Sequence, residues 1–521
     1  MSKKERLLLI ATAAATLLLR ALADFRYRFD SDEQQHLHVA WSWTAGLLPY
    51  RDVFDNHAPL FHLLTAPILA LFGERSDILL WMRLPMLALF GVVVWGTYVV
   101  GKRLYDERVA LWAAVLLALF PPFFLKSLEF RTDNLWTAFW MVAVVVLTGG
   151  ALNAKRMFLV GLLLGCAFAT SVKTAMLVGT LFVAAFITYV FVLRRQAKLP
   201  PLHWFAIGFA IVPAAMAILF AANGAWDDLV YCAFTFNGNL VKTRDHLWVG
   251  RAIFPFTSAA LMYAAWRFRE NAHPWRYFFA VATGVFTVVL AGFWILISPR
   301  DFLALMPLFA IFAAALATKA RNVVATLATI VVVMIGALWY YADRFENNTD
   351  WHVTMMDQAL RLTHPGELLM DVKGETIYRH RPSFYAYENV SRAQIAKGLI
   401  ADTVPEDMVR KPTYVAQADG PMWPPRARAF LSANFLNMGR LRAAGQWIKD
   451  DGSFTIAIPG EYVIVVDRGE ARGTLDGSPY SGSRVLTAGA HRFVGERGAA
   501  VMWAPAFRRG HSPFHLRDLD F

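Results

Sequence analysis

Asp30-Ser31-Asp32-Glu33-Gln34-Gln35-His36 opens a polar stretch that continues through Gly46-Leu47-Leu48-Pro49, Tyr50-Arg51-Asp52 and Asp55-Asn56-His57-Ala58-Pro59-Leu60. It lies between strongly apolar segments, so carboxylates, histidines and aromatics are held directly against a membrane surface. A carboxylate at such a boundary loses part of its hydration, which raises its basicity and makes it a candidate general base or ligand group. The residues alone also allow a solvated loop with a helix cap at Asp32.

Composition settles the surroundings of that stretch. A 521-residue chain with 57% hydrophobic residues, 18 Trp and 40 Phe carries more apolar side chain than a soluble core of this size requires. The expected fold class is a polytopic α-helical membrane protein. Its net charge of +12 follows from basic residues on cytoplasmic loops and calls for no nucleic acid partner. The two cysteines, Cys166 inside an expected span and Cys232 just outside one, suggest no disulfide.

The run Leu7 to Leu19 follows a basic tip and precedes Ala21-Leu22-Ala23, which has the form of a signal cleavage site. We read it as an uncleaved first span, with Arg20 snorkelling to the outer interface. Further runs near the ~20 residues needed to cross a bilayer occur at about 78–100, 109–125, 134–150, 157–172, 174–193, 203–222, 251–268, 277–297, 301–318 and 322–341, making about 11 transmembrane helices. An inside N-terminus places 16 basic residues on short cytoplasmic segments, among them Lys102, Arg103, Arg194 and Arg321. Everything after Tyr341 is then extracytoplasmic.

In the first outer loop, Asp32 to Ala45 reads as a short helix lying along the membrane, and Leu60 to Phe72 as a second one capped by Asp55 or Asn56. The next outer loop is Lys126-Ser127-Leu128-Glu129-Phe130-Arg131-Thr132-Asp133-Asn134. Lys173 lies in a tight outer turn, where an ionisable group is a functional candidate by default and phosphate is a plausible partner. The segment 237–251, with Lys242 and Arg244, is either a lid over a sugar or a polar loop. Arg83, inside the second span, either faces a cavity or snorkels.

The Asp-Glu pair at 32–33, the Gly-Leu-Leu-Pro-Tyr-Arg-Asp segment and His-Ala-Pro-Leu at 57–60 resemble the C-type membrane glycosyltransferases. Within that class the chain is most similar to bacterial relatives of the dolichyl-phosphate-mannose protein mannosyltransferases and the lipid A aminoarabinose transferase, over roughly residues 5 to 345. Arg131-Thr132-Asp133 resembles the family's second acidic position. Ser298-Pro299-Arg300-Asp301 resembles its His-Pro-Arg-Tyr-like segment, with Ser and Asp replacing His and Tyr, so Arg300 alone carries over.

The resemblance implies a bacterial inner-membrane enzyme that moves a sugar from a polyprenyl-phosphate carrier to an extracytoplasmic glycan, lipid or protein, with inversion. In that scheme Asp32 is the base, and Glu33 and Asp133 orient hydroxyls. Tyr50, Asp52, His57, Arg131, Lys173, Lys242, Arg244 and Arg300 bind substrate, with Arg131, Lys173 and Arg300 around one phosphate. No cofactor is expected; a divalent metal on Asp32, Glu33, His36 and His57 is possible but matches no spaced motif. The competing classes are a transporter or flippase of lipid-linked sugars and a non-catalytic sugar-binding membrane protein. A transporter would show charges at midplane and paired broken spans.

After the last span the composition turns polar. Residues 342–450 read as a mixed α/β extracytoplasmic region, and 451–521 as a β-sandwich-like module, from the alternation of Phe454, Ile456 and Ile458 and then of Tyr462, Ile464 and Val466. The module is similar to carbohydrate-binding β-sandwiches in its Leu-Asp-Gly turn at 475–477 and Gly-Ala-His at 489–491. A β-domain that only packs is an equal alternative.

Overall fold

The computed structural model describes residues 1–194, 198–238, 273–294, 297–418, 420 and 422–516, and the chain forms two compact units. The first comprises Met1–Glu33, Asn56–Thr65 and Leu79–Thr349; the second comprises Gln34–Asp55, Ala66–Ile78 and Asp350–Phe521. The division runs through the first polar loop, which belongs to both.

Every expected apolar run within the described residues is helical. These are α1 (Lys3–Arg26), α4 (Ile78–Leu104), α5 (Glu107–Leu119), α6 (Pro121–Lys126), α7 (Thr132–Leu147), α8 (Ala154–Thr170), α9 (Thr174–Phe191), α10 (Leu202–Ala222) and the helices Pro274–Phe293, Met306–Ala317 and Val323–Tyr341. Six helices among the described residues are long and apolar enough to cross a membrane. The expected span 251–268 lies outside the described residues. The span expected at 109–125 is two helices: Pro121 has no N–H to continue the ladder, so α5 ends at Leu119 and α6 starts on the proline itself.

The core of this unit holds three fully buried tryptophans whose indole N–H groups are all satisfied. Trp112 donates to Glu5 at 3.0 Å, Trp136 to the Thr174 hydroxyl at 2.9 Å and Trp140 to the Ala304 carbonyl at 2.7 Å. Helices α8 and α10 touch backbone to backbone, because a Cβ at Gly161 would stand 2.1 Å from the Phe205 carbonyl oxygen and one at Gly165 2.4 Å from that of Phe209. Arg20 does not snorkel. It is buried and donates to the Phe124 carbonyl and to the Ser127 hydroxyl and carbonyl at 2.7–2.9 Å, because these carbonyls at the α6 terminus need donors.

Helix α2 (Ser31–Thr44) and helix α3 (Leu60–Phe72) occupy the two expected helical stretches of the first loop. The cap of α2 is Asp30 rather than Asp32. The Asp30 carboxylate accepts from the Asp32 N–H at 3.2 Å while Glu33 reaches back to the Asp30 N–H at 2.8 Å, a capping box with aspartate in place of serine.

In the second unit, twelve strands among the described residues form two sheets. β1 (Leu369–Met370), β2 (Val415–Gln417), β4 (Leu441–Trp447), β12 (Ala500–Trp503), β6 (Gly460–Val466) and β10 (Arg484–Leu486) lie in that spatial order, with β3 (Phe435–Asn437) on β4 and β7 (Gly469–Glu470) on β6. β5 (Ser453–Ile456), β11 (Gly489–Gly495), β8 (Gly473–Leu475) and β9 (Ser478–Tyr480) form the other. The pairing of β4 with β12 carries one sheet across residue 450, so the regions 342–450 and 451–521 share it. Among the described strands β1 and β2 pair in parallel and the others antiparallel; Tyr462 to Val465 are all buried, unlike a strand with one wet face.

The first loop is fastened within this unit to the segment 371–381. The His38 Nδ1 pairs with the Ile377 carbonyl at 2.7 Å, the Tyr378 hydroxyl donates to the Gly73 carbonyl at 3.0 Å and Arg379 donates to both Glu74 oxygens at 3.0 Å. Gly374 turns beneath the His38 ring at φ +91°, where a Cβ would stand 2.7 Å from the imidazole.

Candidate functional site

The first unit gathers a cluster of charge from four chain segments: the cap of α2, the loop from α6 to α7, the turn from α8 to α9, and a short 3-10 turn at Pro299–Phe302. Arg131 is its hub. One Nη1 donates to Asp30 at 3.0 Å and to Asp32, and its Nε lies 3.5 Å from Asp133. Lys173 bridges Asp133 at 2.7 Å and Asp301 at 2.8 Å, with its ammonium over the rings of Trp136 and Trp294. Arg300 joins Asp30 to Glu129, and Glu129 in turn holds Lys126 at 2.6 Å.

These pairings fix the ionisation states. Burial raises the Asp30 carboxyl, but Arg131 and Arg300 outweigh it and hold it below the usual range. Burial lowers Lys173, yet Asp133 and Asp301 push it up to about 12. Among the described residues the cluster holds four cations (Lys126, Arg131, Lys173, Arg300) and five carboxylates (Asp30, Asp32, Glu129, Asp133, Asp301), so it is not an open cationic pocket.

Exposure separates roles within it. The Asp32 side chain is 23% exposed, whereas Asp30 is 16%, Asp133 6%, Asp301 5% and Glu129 1% exposed. Asp32 is thus the carboxylate best placed to meet a reactant from outside. Glu33 is fully buried and saturated, accepting from the Asp30 N–H at 2.8 Å, the Phe130 N–H at 2.9 Å and Arg83 at 3.0 Å. It therefore does not orient a substrate hydroxyl as expected; it ties the Asp30–Asp32 segment to the Phe130–Asp133 segment. Arg83 neither faces a cavity nor snorkels. It is 1% exposed and donates to the carbonyls of Tyr27 at 2.9 Å, Arg28 at 3.0 Å and Asp24 at 3.3 Å as well as to Glu33.

Of the expected residues, the structure brings together Asp32, Glu33, Arg131, Asp133, Lys173 and Arg300. His57 lies half-buried in the first unit, before α3. Tyr50 and Asp52 belong to the second unit. Tyr50 is buried at φ +72° in a tight turn closed by its N–H on the Val53 carbonyl, and Asp52 accepts the Leu48 N–H at 2.8 Å and pairs with Arg51, so both build the turn itself rather than offering a free binding face. Lys242 and Arg244 lie outside the described residues. Sequence reasoning missed Asp30 and Glu129 as cluster members and Asp301 as the partner of Lys173. The signal for Asp301 was its own position, beside Arg300 at an outer span end. Among the described residues no group of three His, Cys, Asp or Glu is arranged to hold a metal ion.

An apolar cavity of about 420 Å³ in the same unit is lined by Met157, Tyr189, Leu202, Phe205 and Trp275 among others. It lies at the opposite ends of α8 and α9 from Lys173, roughly 24 Å away by the rise of an α-helix.

Residues 56–220 match the family of dolichyl-phosphate-mannose-protein mannosyltransferases. Among solved structures, that of ArnT from Cupriavidus metallidurans bound to undecaprenyl phosphate is similar with a TM-score of 0.61 at 12% identity, over 83% of this chain and 97% of that one. The same protein in its apo state gives a TM-score of 0.58 at 12% identity, over 84% and 97%. No curated protein sequence matches the chain. The fold is that of the C-type membrane glycosyltransferases, as the sequence resemblance implied, and the chain is a multi-pass membrane protein.

Proposed function

We infer that the protein is a membrane glycosyltransferase that moves a sugar from a polyprenyl-phosphate carrier to an extracytoplasmic acceptor. The observation that carries this reading is the cluster itself: a partly exposed aspartate, Asp32, paired with Arg131, which shares Asp30 with a second guanidinium, that of Arg300. The match to a family named for a dolichyl-phosphate sugar donor and the likeness to a protein bound to undecaprenyl phosphate support the donor class.

In the proposed reaction the acceptor hydroxyl or amine attacks the anomeric carbon as the bond to the phosphate oxygen breaks. Asp32 takes the acceptor proton, and the polyprenyl phosphate takes the bonding pair of the broken C–O bond and leaves as a dianion without needing a protonating acid. Arg131 and Arg300 meet the phosphate, exchanging a carboxylate partner for it, while Lys173 holds Asp133 and Asp301 in place rather than binding phosphate. Because the charged groups collect at one set of helix ends, a carrier that needs charge at midplane is disfavoured. The site faces outward across a bacterial inner membrane, with the N-terminus inside.

The test is transfer from a panel of radiolabelled polyprenyl-phosphate sugars to cell-envelope extract by purified protein. Label moving to the extract from one donor supports the reading and names the sugar. Label crossing liposome membranes without transfer from any donor overturns it in favour of a transporter.

A further inference from the structure

Asp30 stands between the two guanidiniums that the transfer reading gives to the phosphate. The Arg131 Nη1 donates to one of its carboxylate oxygens at 3.0 Å, and the Arg300 Nη2 donates to the other. The carboxylates around them pair with one guanidinium each: Asp32 and Asp133 with Arg131, and Glu129 with Arg300. A phosphate offers guanidiniums the same forked arrangement of oxygens as a carboxylate does. Asp30 and a phosphate bound by both arginines therefore compete for the same donors.

Exposure decides which carboxylate gives way. Glu129 and Asp133 are closed in, and taking an arginine from either leaves a buried charge without that partner. Asp30 reaches solvent and is tied to its own helix, accepting the Asp32 N–H at 3.2 Å and donating its N–H to Glu33 at 2.8 Å. A carboxylate with access to water leaves a guanidinium at small cost. The Arg131 Nη1 that Asp30 uses also serves Asp32. An anion that takes this nitrogen loosens its hold on Asp32 too, and a carboxylate that loses a neighbouring guanidinium becomes more basic.

We propose that Asp30 is a positioning residue that occupies the donor's phosphate subsite, and that the phosphate displaces it and thereby loosens Arg131 from Asp32. The inference rests on the transfer reading and names the step that readies its base. A carboxylate and a phosphodiester each carry one negative charge, so the exchange leaves the charge around Arg131 and Arg300 unchanged. Asp133 keeps Arg131 in place during the exchange and Glu129 keeps Arg300, because neither contact involves Asp30. Binding of the donor and activation of the base are then one event.

The experiment is equilibrium binding of radiolabelled undecaprenyl phosphate to the full-length protein in detergent, comparing native, Asp30→Asn and Asp30→Ser. Asparagine and serine both keep a capping oxygen for α2 and remove the charge. Each variant is expected to bind the phosphate at least tenfold more tightly than the native protein, and in transfer to lower the donor KM by more than it changes kcat. Asp32→Asn removes the same charge but only one guanidinium contact, and its affinity is expected to stay close to native. Affinity unchanged or weakened in both Asp30 variants overturns the proposal. An equal gain in Asp32→Asn also overturns it, by reducing the effect to net charge. Tighter binding by the Asp30 variants, with no turnover of any donor by the native protein, upholds the competition and fails the transfer reading alone.

Discussion

Asp32 and Glu33 are adjacent in sequence and opposite in circumstance. One looks out at 23% side-chain exposure against Arg131; the other is enclosed, with an N–H on either side and Arg83 across from it. The sequence shows a carboxylate pair but not which member turns inward, since that depends on α2 beginning at Ser31 with Asp30 as its cap. A buried ion pair that loses one partner leaves an uncompensated charge, which costs about 3–5 kcal/mol, whereas removing both together often costs less. Glu33→Gln and Arg83→Met are each expected to lower the unfolding temperature in detergent, with the double variant less destabilised than the sum of the two. Strict additivity would mean that the pair does not act as a unit. Asp301 shows how a departure from a family pattern is legible only in part. Its sequence position indicated loss of a tyrosine, and only the fold shows the aspartate meeting Lys173 at 2.8 Å.

At the level of elements, the apolar runs were legible because a span needs length and hydrophobicity and little else, and each described run is a helix. The break at Pro121 was not read, because Pro121 and Pro122 lie inside a continuous apolar run of span length, and the missing N–H ends the helix there. The contact of α8 with α10 rests on Gly161 and Gly165, four apart on one face, with Gly208 opposite them, where a Cβ would stand 2.2 Å from the Phe158 carbonyl oxygen. Gly161→Ala is expected to force these backbones apart, lowering thermal stability by roughly 1–3 kcal/mol, the usual cost of overpacking; an unchanged melting temperature would contradict the contact.

In the second unit, Glu375 is buried beside Asp371, and burial first and that neighbour second push its carboxyl up to about 7. Between about pH 4.5 and 7 the native loop therefore keeps a proton that the unfolded chain has released, so its stability falls as pH rises through that window. Amide exchange over residues 371–381 is expected to quicken between pH 5 and 8 beyond the intrinsic chemical rate, and Glu375→Gln to remove the excess. An equal excess in the variant would rule Glu375 out as its source.

For the whole molecule, composition, basic loops and the first polar stretch were enough to reach a multi-pass membrane fold of the C type. They did not show that the first loop is shared between two units, nor that residues 34–55 and 66–78 pack in one unit with 350–521. Long-range pairings such as His38 with Ile377, 339 residues apart, leave no local periodicity to read. The same limit applies to the charge cluster, whose members come from four segments brought together only by the order of the helices. In the proposed reaction everything turns on Asp32 removing the acceptor proton. Its most direct test is transfer by purified Asp32→Asn beside the native protein, with donor binding measured on both. Turnover is expected to fall by about 10²–10⁴-fold, the loss of a general base, while donor binding stays close to native. Turnover retained at the native level with the donor still bound would contradict it.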